Sequence, residues 1–191
     1  MVLLSLKELF DIAVMTVILG VIFQDVFRRF RHPYAFYGKP GFDWEGFKFA
    51  MMVTAPAVIL HEFGHKFVAM AFGLSASFNA AYGWLGFGLL LKLLNVGFIF
   101  FVPAYVSISA PIGMSISPFV YSITAFAGPA VNLVLWLGAR YALNKNLVKK
   151  KYLALAYLTK QINMFLFIFN MLPIPGFDGF KVYSGLLQFI F

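Results

Sequence analysis

Apolar positions along this chain gather into long runs separated by short polar or proline-broken stretches. The first run covers residues 3–27 and is densest from Ile12 to Phe23. The second, residues 47–73, would measure about 40 Å as a helix, enough to cross a bilayer. Pro56 predicts a kink in it and Gly73 a C-terminal stop. Residues 118–139, opened by Pro118, and residues 152–172 form two further runs of spanning length. Between the second and third spans, residues 76–82 and 102–109 carry aromatic and β-branched residues in partial alternation and predict short strands. Residues 84–101 are apolar enough to enter a membrane, whereas residues 180–191 are too short to cross one alone. Residues 28–45, broken by Pro33 and Pro40, and the basic stretch 144–151 read as loops. The pattern predicts an all-α polytopic membrane protein with about four to five transmembrane helices. A small β-rich, membrane-dipping hairpin lies between the second and third. One domain over 1–191 is expected, with its core at 47–187 and an extra helix at 1–27. A signal peptide is the rival reading of the first run, but no small-residue cleavage site follows it.

Composition strengthens the membrane assignment. The chain of 191 residues is 62% hydrophobic, with a mean hydropathy of +0.86, and only 12% of it is charged. Soluble domains carry roughly 25% charged residues. The expectation is an integral, multi-pass protein whose surroundings are the lipid bilayer. The net charge of +8 does not indicate nucleic acid, because the basic residues sit in short clusters beside apolar runs, as juxtamembrane charges do. Two such clusters, in 28–39 and 145–151, fall on one side, which the positive-inside rule makes cytoplasmic. With no cysteine, any metal must be held by His, Asp or Glu.

The candidate chemistry lies in the second run, at Ala57 to Ala71, AVILHEFGHKFVAMA. His61 and His65 are four residues apart, so on a helix both imidazoles leave from one face, as two ligands of one zinc require. Glu62 follows the first of them and can act on water beside the metal without binding the metal itself. A catalytic zinc takes three protein ligands. Of the seven acidic residues only Asp178 follows the motif, and it stands in an apolar setting in the helix-breaking stretch NMLPIPGFDG, residues 170–179. Binding a cation would relieve the cost of that carboxylate; the bland reading is an Asp capping the helix that begins near Gly179. His32, beside three arginines, reads as solvated rather than as a ligand. If Asp178 is to reach the two histidines, the second and fourth spans must run the same way, so residues 84–101 should dip into the membrane without crossing. Gly128 and Asn132, one turn apart in GPAVN, suit close helix packing with an interhelical hydrogen bond.

With HEFGH in a membrane helix, GPAVN in a later one and NMLPIPGFDG beyond, residues 47–187 resemble the site-2 protease family of intramembrane zinc metalloproteases. The resemblance implies one Zn2+ per chain on His61, His65 and Asp178, with Glu62 as the catalytic carboxylate. It implies that Asn170 helps to hold the substrate or the oxyanion, and that Gly128 and Asn132 give structural support. It implies regulated intramembrane proteolysis, the hydrolysis of peptide bonds in or near transmembrane segments of membrane-protein substrates. Phe177 departs from the leucine usual before Asp-Gly in the family. Family active sites open toward the cytosol from the end of the motif helix, the opposite orientation to the one that the loop charges imply. The alternative function is a catalytically inactive membrane zinc-binding protein that binds client helices.

Overall fold

A computed structural model describes residues 3–27, 42–96, 102–113 and 115–191. His32 and most of the 28–45 loop lie outside the described residues. The chain folds into six α-helices and one two-stranded sheet among these residues. Helix α1 (Leu6–Phe23) begins at a capping box, in which Ser5 accepts from the Glu8 amide and Glu8 accepts from the Ser5 amide. Helix α2 (Trp44–Ala71) starts three residues before the apolar run, because the Asp43 carboxylate takes up the Gly46 amide. It carries Pro56 and ends just before Gly73, whose φ of +77° is the left-handed turn a glycine supplies.

Strands β1 (Ser75–Ala80) and β2 (Ala104–Ser109) pair antiparallel, Ser75 opposite Ser109 and Ala80 opposite Ala104. Helix α3 (Tyr82–Leu93) lies within the connection between them. Its 12 residues measure about 18 Å, too short to cross a membrane. Because Ala80 and Ala104 are cross-strand partners, this connection leaves the sheet and returns to it at one place. The part of the 84–101 run beyond residue 96 lies outside the described residues.

Helix α4 (Pro118–Asn144) is capped by Ser117, and α5 (Leu153–Asn170) follows a single 3-10 turn at Lys150–Tyr152. After a bend containing Gly176 at φ +98°, α6 (Asp178–Ile190) turns back onto the bundle. Two helical segments, Pro118–Asn144 and Lys150–Asn170, are long and apolar enough to cross a membrane. Helix α1 carries Lys7, Glu8 and Asp11 in its first two turns, and α2 carries Glu45, Lys48, Glu62 and Lys66.

Side-chain contacts set the direction of each helix. Asn132 of α4 reaches His61 and the Ala57 carbonyl, and the Thr124 carbonyl reaches His65, so α2 and α4 are antiparallel. Asn163 of α5 meets Asn132, and Asn170 lines the same cavity as Glu62, so α5 returns in the direction of α2. Glycines allow these approaches. A Cβ on Gly64 would stand 2.7 Å from the Ala127 carbonyl oxygen of α4. One on Gly185 of α6 would stand 2.8 Å from the Pro118 carbonyl oxygen.

The first turns of α1 hold the hairpin. Glu8, almost wholly buried, pairs with the equally buried Lys66 of α2, and its Oε1 accepts the Phe78 amide at 2.7 Å. One turn on, Asp11 accepts from Lys7 at 2.8 Å, Tyr82 Oη at 2.5 Å and the Ala80 amide at 3.3 Å. Removing one partner of a buried pair such as Glu8–Lys66 typically costs about 3–5 kcal/mol, because the other charge is left without a partner.

Cysteines placed singly at Ser75 and Ser117 test whether the intervening chain crosses a membrane. In sealed vesicles both are expected to label with an impermeant thiol reagent from the same face. Labelling from opposite faces would show that it crosses.

Candidate metal centre

His61, His65 and Asp178 meet in a buried cluster. The distances are 3.1 Å between the two Nε2 atoms and 3.2 Å from each of them to Asp178 Oδ2. Helix α2 supplies the histidines from adjacent turns of one face. Asp178 comes from the first turn of α6, immediately after the bend. It does not cap that helix: the N-cap position belongs to Phe177, which makes no side-chain cap bond, and the Asp178 oxygens face the imidazoles and Lys181.

The partners of the outer ring nitrogens determine what the inner ones present. Asn132 spends its amide nitrogen on the Ala57 carbonyl, at 3.2 Å, and on Asn163 Oδ1, at 2.8 Å. Its Oδ1 is thereby turned to His61 Nδ1 at 2.6 Å, so that ring nitrogen is the donor. Asn163 is held in turn by donating to the Thr159 carbonyl at 2.8 Å. His65 Nδ1 lies 2.7 Å from the Thr124 carbonyl oxygen, which can only accept. In the neutral rings both Nε2 atoms therefore carry lone pairs, and these converge on a carboxylate oxygen. Three acceptors in such contact repel one another unless a cation lies between them. A tetrahedral zinc with bonds of about 2.0–2.1 Å needs its ligand atoms about 3.3 Å apart. The observed triangle is close to that size, and the donor set of two imidazoles and one carboxylate suits zinc. Gly128 leaves the space: a Cβ there would run into His65 Nε2 and stand 2.8 Å from His61 Nε2.

A cavity of about 300 Å3 opens onto the cluster. Glu62, Asn170, Thr124, Tyr105 and Lys181 line it. Glu62 is buried and makes no hydrogen bond among the described residues, so its carboxylate is uncommitted. Lys181 approaches Asp178 Oδ1 at 3.4 Å, leaving Oδ2 to the histidines. Residues Ala104, Val106 and Ile108 of β2 form one wall.

The residues that the sequence proposes for the site fall here: His61, Glu62, His65, Asn170 and Asp178 at the cavity, Gly128 and Asn132 directly behind the histidines. Sequence reasoning missed Asn163, Lys181, the Thr124 carbonyl and the Glu8–Lys66 pair. Lys66 carried a signal, being a cation directly after the motif in an otherwise apolar run. A backbone carbonyl such as that of Thr124 carries none.

This arrangement makes zinc content sensitive to residues behind the ligands. Elemental analysis of the purified parent is expected to give about one zinc per chain, with Asp178→Ala losing it. Asn132→Ala is expected to weaken zinc affinity roughly 10–100-fold, read by competition with a chelator, because His61 loses the group that orients it. Zinc retained at parental affinity in both variants would exclude this centre.

No protein-family profile matches the chain, and no solved structure matches it. A relative is found in Methanocaldococcus jannaschii, the protein named "Putative zinc metalloprotease MJ0611". It is 30% identical over 181 residues, which cover 93% of this chain and 84% of the archaeal protein. A buried cluster of two histidines and an aspartate with the donor set of a metal site, an adjoining carboxylate and an alignment of that extent lead to one statement of kinship: the chain belongs to the zinc metalloprotease family of this archaeal protein.

Proposed function

We propose that the protein is an intramembrane zinc endopeptidase of the site-2 protease type, cleaving peptide bonds in or near the transmembrane segments of membrane-protein substrates. The observation that carries this reading is the uncommitted Glu62 carboxylate, buried on the cavity wall beside three converging metal-ligand atoms. A zinc-binding protein without activity has no use for that carboxylate, whereas a peptidase needs a base in that place. The multi-pass topology belongs to the same proposal: α1 and α2 join the two apolar segments at 118–144 and 150–170 as spans, and the β1–α3–β2 unit dips without crossing.

His61, His65 and Asp178 would hold the zinc, and zinc so held supplies Lewis acidity toward water and toward a peptide carbonyl. Glu62 accepts the proton of the attacking water and passes it to the leaving amine. Asn170, at the end of α5 on the cavity wall, is placed to donate an amide hydrogen to the oxygen that gains charge in the transition state. The imidazoles keep their orientation throughout, because Asn132 and the Thr124 carbonyl fix their outer nitrogens.

A helical substrate conceals its carbonyls in its own hydrogen bonds and must unwind before cleavage. Strand β2 offers the replacement partners. The amides of Phe78 and Ala80 in β1 turn to Glu8 and Asp11, away from β2. By the register, their partners Val106 and Ala104 turn outward on the opposite edge, which lines the cavity. An unwound segment can add to that edge as a third strand, beside Glu62.

Two variants test this reading. Glu62→Gln is expected to keep about one zinc per chain and to lose proteolysis of a single-span reporter by at least about 100-fold. Parental rates in that variant would overturn the role of Glu62. Val106→Pro deletes an outward amide and is expected to lower cleavage mainly through a raised KM, with zinc content unchanged. Cleavage equal to the parent would remove β2 from substrate capture.

A further inference from the structure

The candidate metal centre stands between two cavities. The one described above extends along β2 as far as Ile108 and has Lys181, Tyr105 and Tyr121 in its wall. The other, also about 300 Å3, lies between α1, α2 and α5 and is walled by Leu19, Phe23, Val58, Ile162, Phe165 and Leu166. His61, Glu62, Val102, Ala104, Asn170 and Phe177 belong to both walls. Among the described residues Glu62 is the only acid or base lining the second cavity apart from His61, and both stand where the two cavities join. Apart from Thr54, whose hydroxyl donates to the Ala50 carbonyl, this cavity is apolar except where it meets the reacting groups, which is the character of a side-chain subsite.

The strand register relates that subsite to the scissile bond. The second cavity touches β2 and its approach only at Val102, Pro103 and Ala104, whereas the first continues to Ile108. A peptide added antiparallel to β2, the more stable pairing, runs from the Ile108 end toward the Ala104 end. Its residues before the scissile bond lie in the first cavity, and those after the bond enter the second. We propose that the apolar cavity between α1, α2 and α5 receives the side chain that follows the scissile bond and selects a large apolar residue there. This rests on the peptidase reading. Aliphatic and aromatic side chains exchange water for the Leu, Ile and Phe walls, while a carboxylate entering the cavity finds no cation to pair with.

The test uses the full-length, zinc-loaded protein in detergent micelles. The substrates are single-span reporter peptides identical except for Ala, Leu, Phe or Asp after the cleavage site, which mass spectrometry locates. The parent is expected to prefer Leu and Phe over Ala by about tenfold or more in kcat/KM, with Asp poorest. Leu166→Trp narrows the cavity and is expected to move the Leu-to-Ala ratio toward Ala. Leu166→Ala widens it and is expected to move the Phe-to-Leu ratio toward Phe, so the inference can be tested even if the tryptophan variant fails to fold. Opposite shifts in these ratios, with zinc per chain unchanged, support the subsite. Ratios unmoved in the variants, as for a cavity filled by a lipid chain, or a parent indifferent to the residue after the scissile bond, overturn the subsite while leaving the peptidase reading intact. No cleavage of any reporter by the parent overturns both.

Discussion

Three lone pairs pointed at one another in a buried setting are the constraint on which the rest of this structure depends. Two imidazole nitrogens and a carboxylate oxygen lie 3.1–3.2 Å apart, each buried, with the outer face of each imidazole already bonded. Such a cluster is unfavourable alone and favourable around a cation. Much of the surrounding backbone is understandable as what brings the three atoms to that separation. Gly64 and Gly128 let α2 and α4 approach until the histidines reach the α4 backbone. Gly179 lets the first turn of α6 fold against the end of α5, since a Cβ there would stand 2.7 Å from the Leu172 carbonyl oxygen. That fold carries Asp178 to α2 across 113 residues of sequence.

Helix, sheet and metal cluster were legible to different degrees, for physical reasons. The i, i+4 histidine pair was visible because a helix puts a ligand face into the sequence directly. Asp178 was visible because carboxylates are so scarce in this chain that elimination sufficed. The strands at 75–80 and 104–109 were anticipated within two residues, since short stretches that mix aromatic or β-branched residues with serines and asparagine differ from the long apolar runs. Helix α3 was not distinguished from a longer apolar run reaching residue 101, because apolarity alone does not fix where a helix stops. Helix α2 begins earlier than its apolar residues do, through the Asp43 cap, a local hydrogen bond that hydropathy ignores. In the sequence Glu8 and Asp11 merely precede the densest part of the first apolar run. Their use depends on α1 lying antiparallel to α2, which places Glu8 against Lys66 across 58 residues. No local pattern encodes that pairing.

The two edges of the hairpin are treated differently, and the difference ties the strand register to the helix that carries the histidines. On the β1 edge, alternate amides would be exposed wherever water is scarce, and an unpaired amide there is costly. Two carboxylates one helical turn apart match the two-residue spacing of the strand and take up Phe78 and Ala80. Because Glu8 bonds both the Phe78 amide and Lys66, the strand register is tied to the helix that carries the histidines. A slip of one residue would turn the Phe78 amide away from Glu8 and strand the buried pair without a third partner. The β2 edge has no such cover among the described residues and faces a cavity in its place. On the reading proposed above, its outward amides are the ones an extended peptide would take up. Helix α1 is thus more than an added anchor. By closing one edge with its own carboxylates it leaves, among the described residues, the β2 edge uncovered, and β2 lines the same cavity as Glu62.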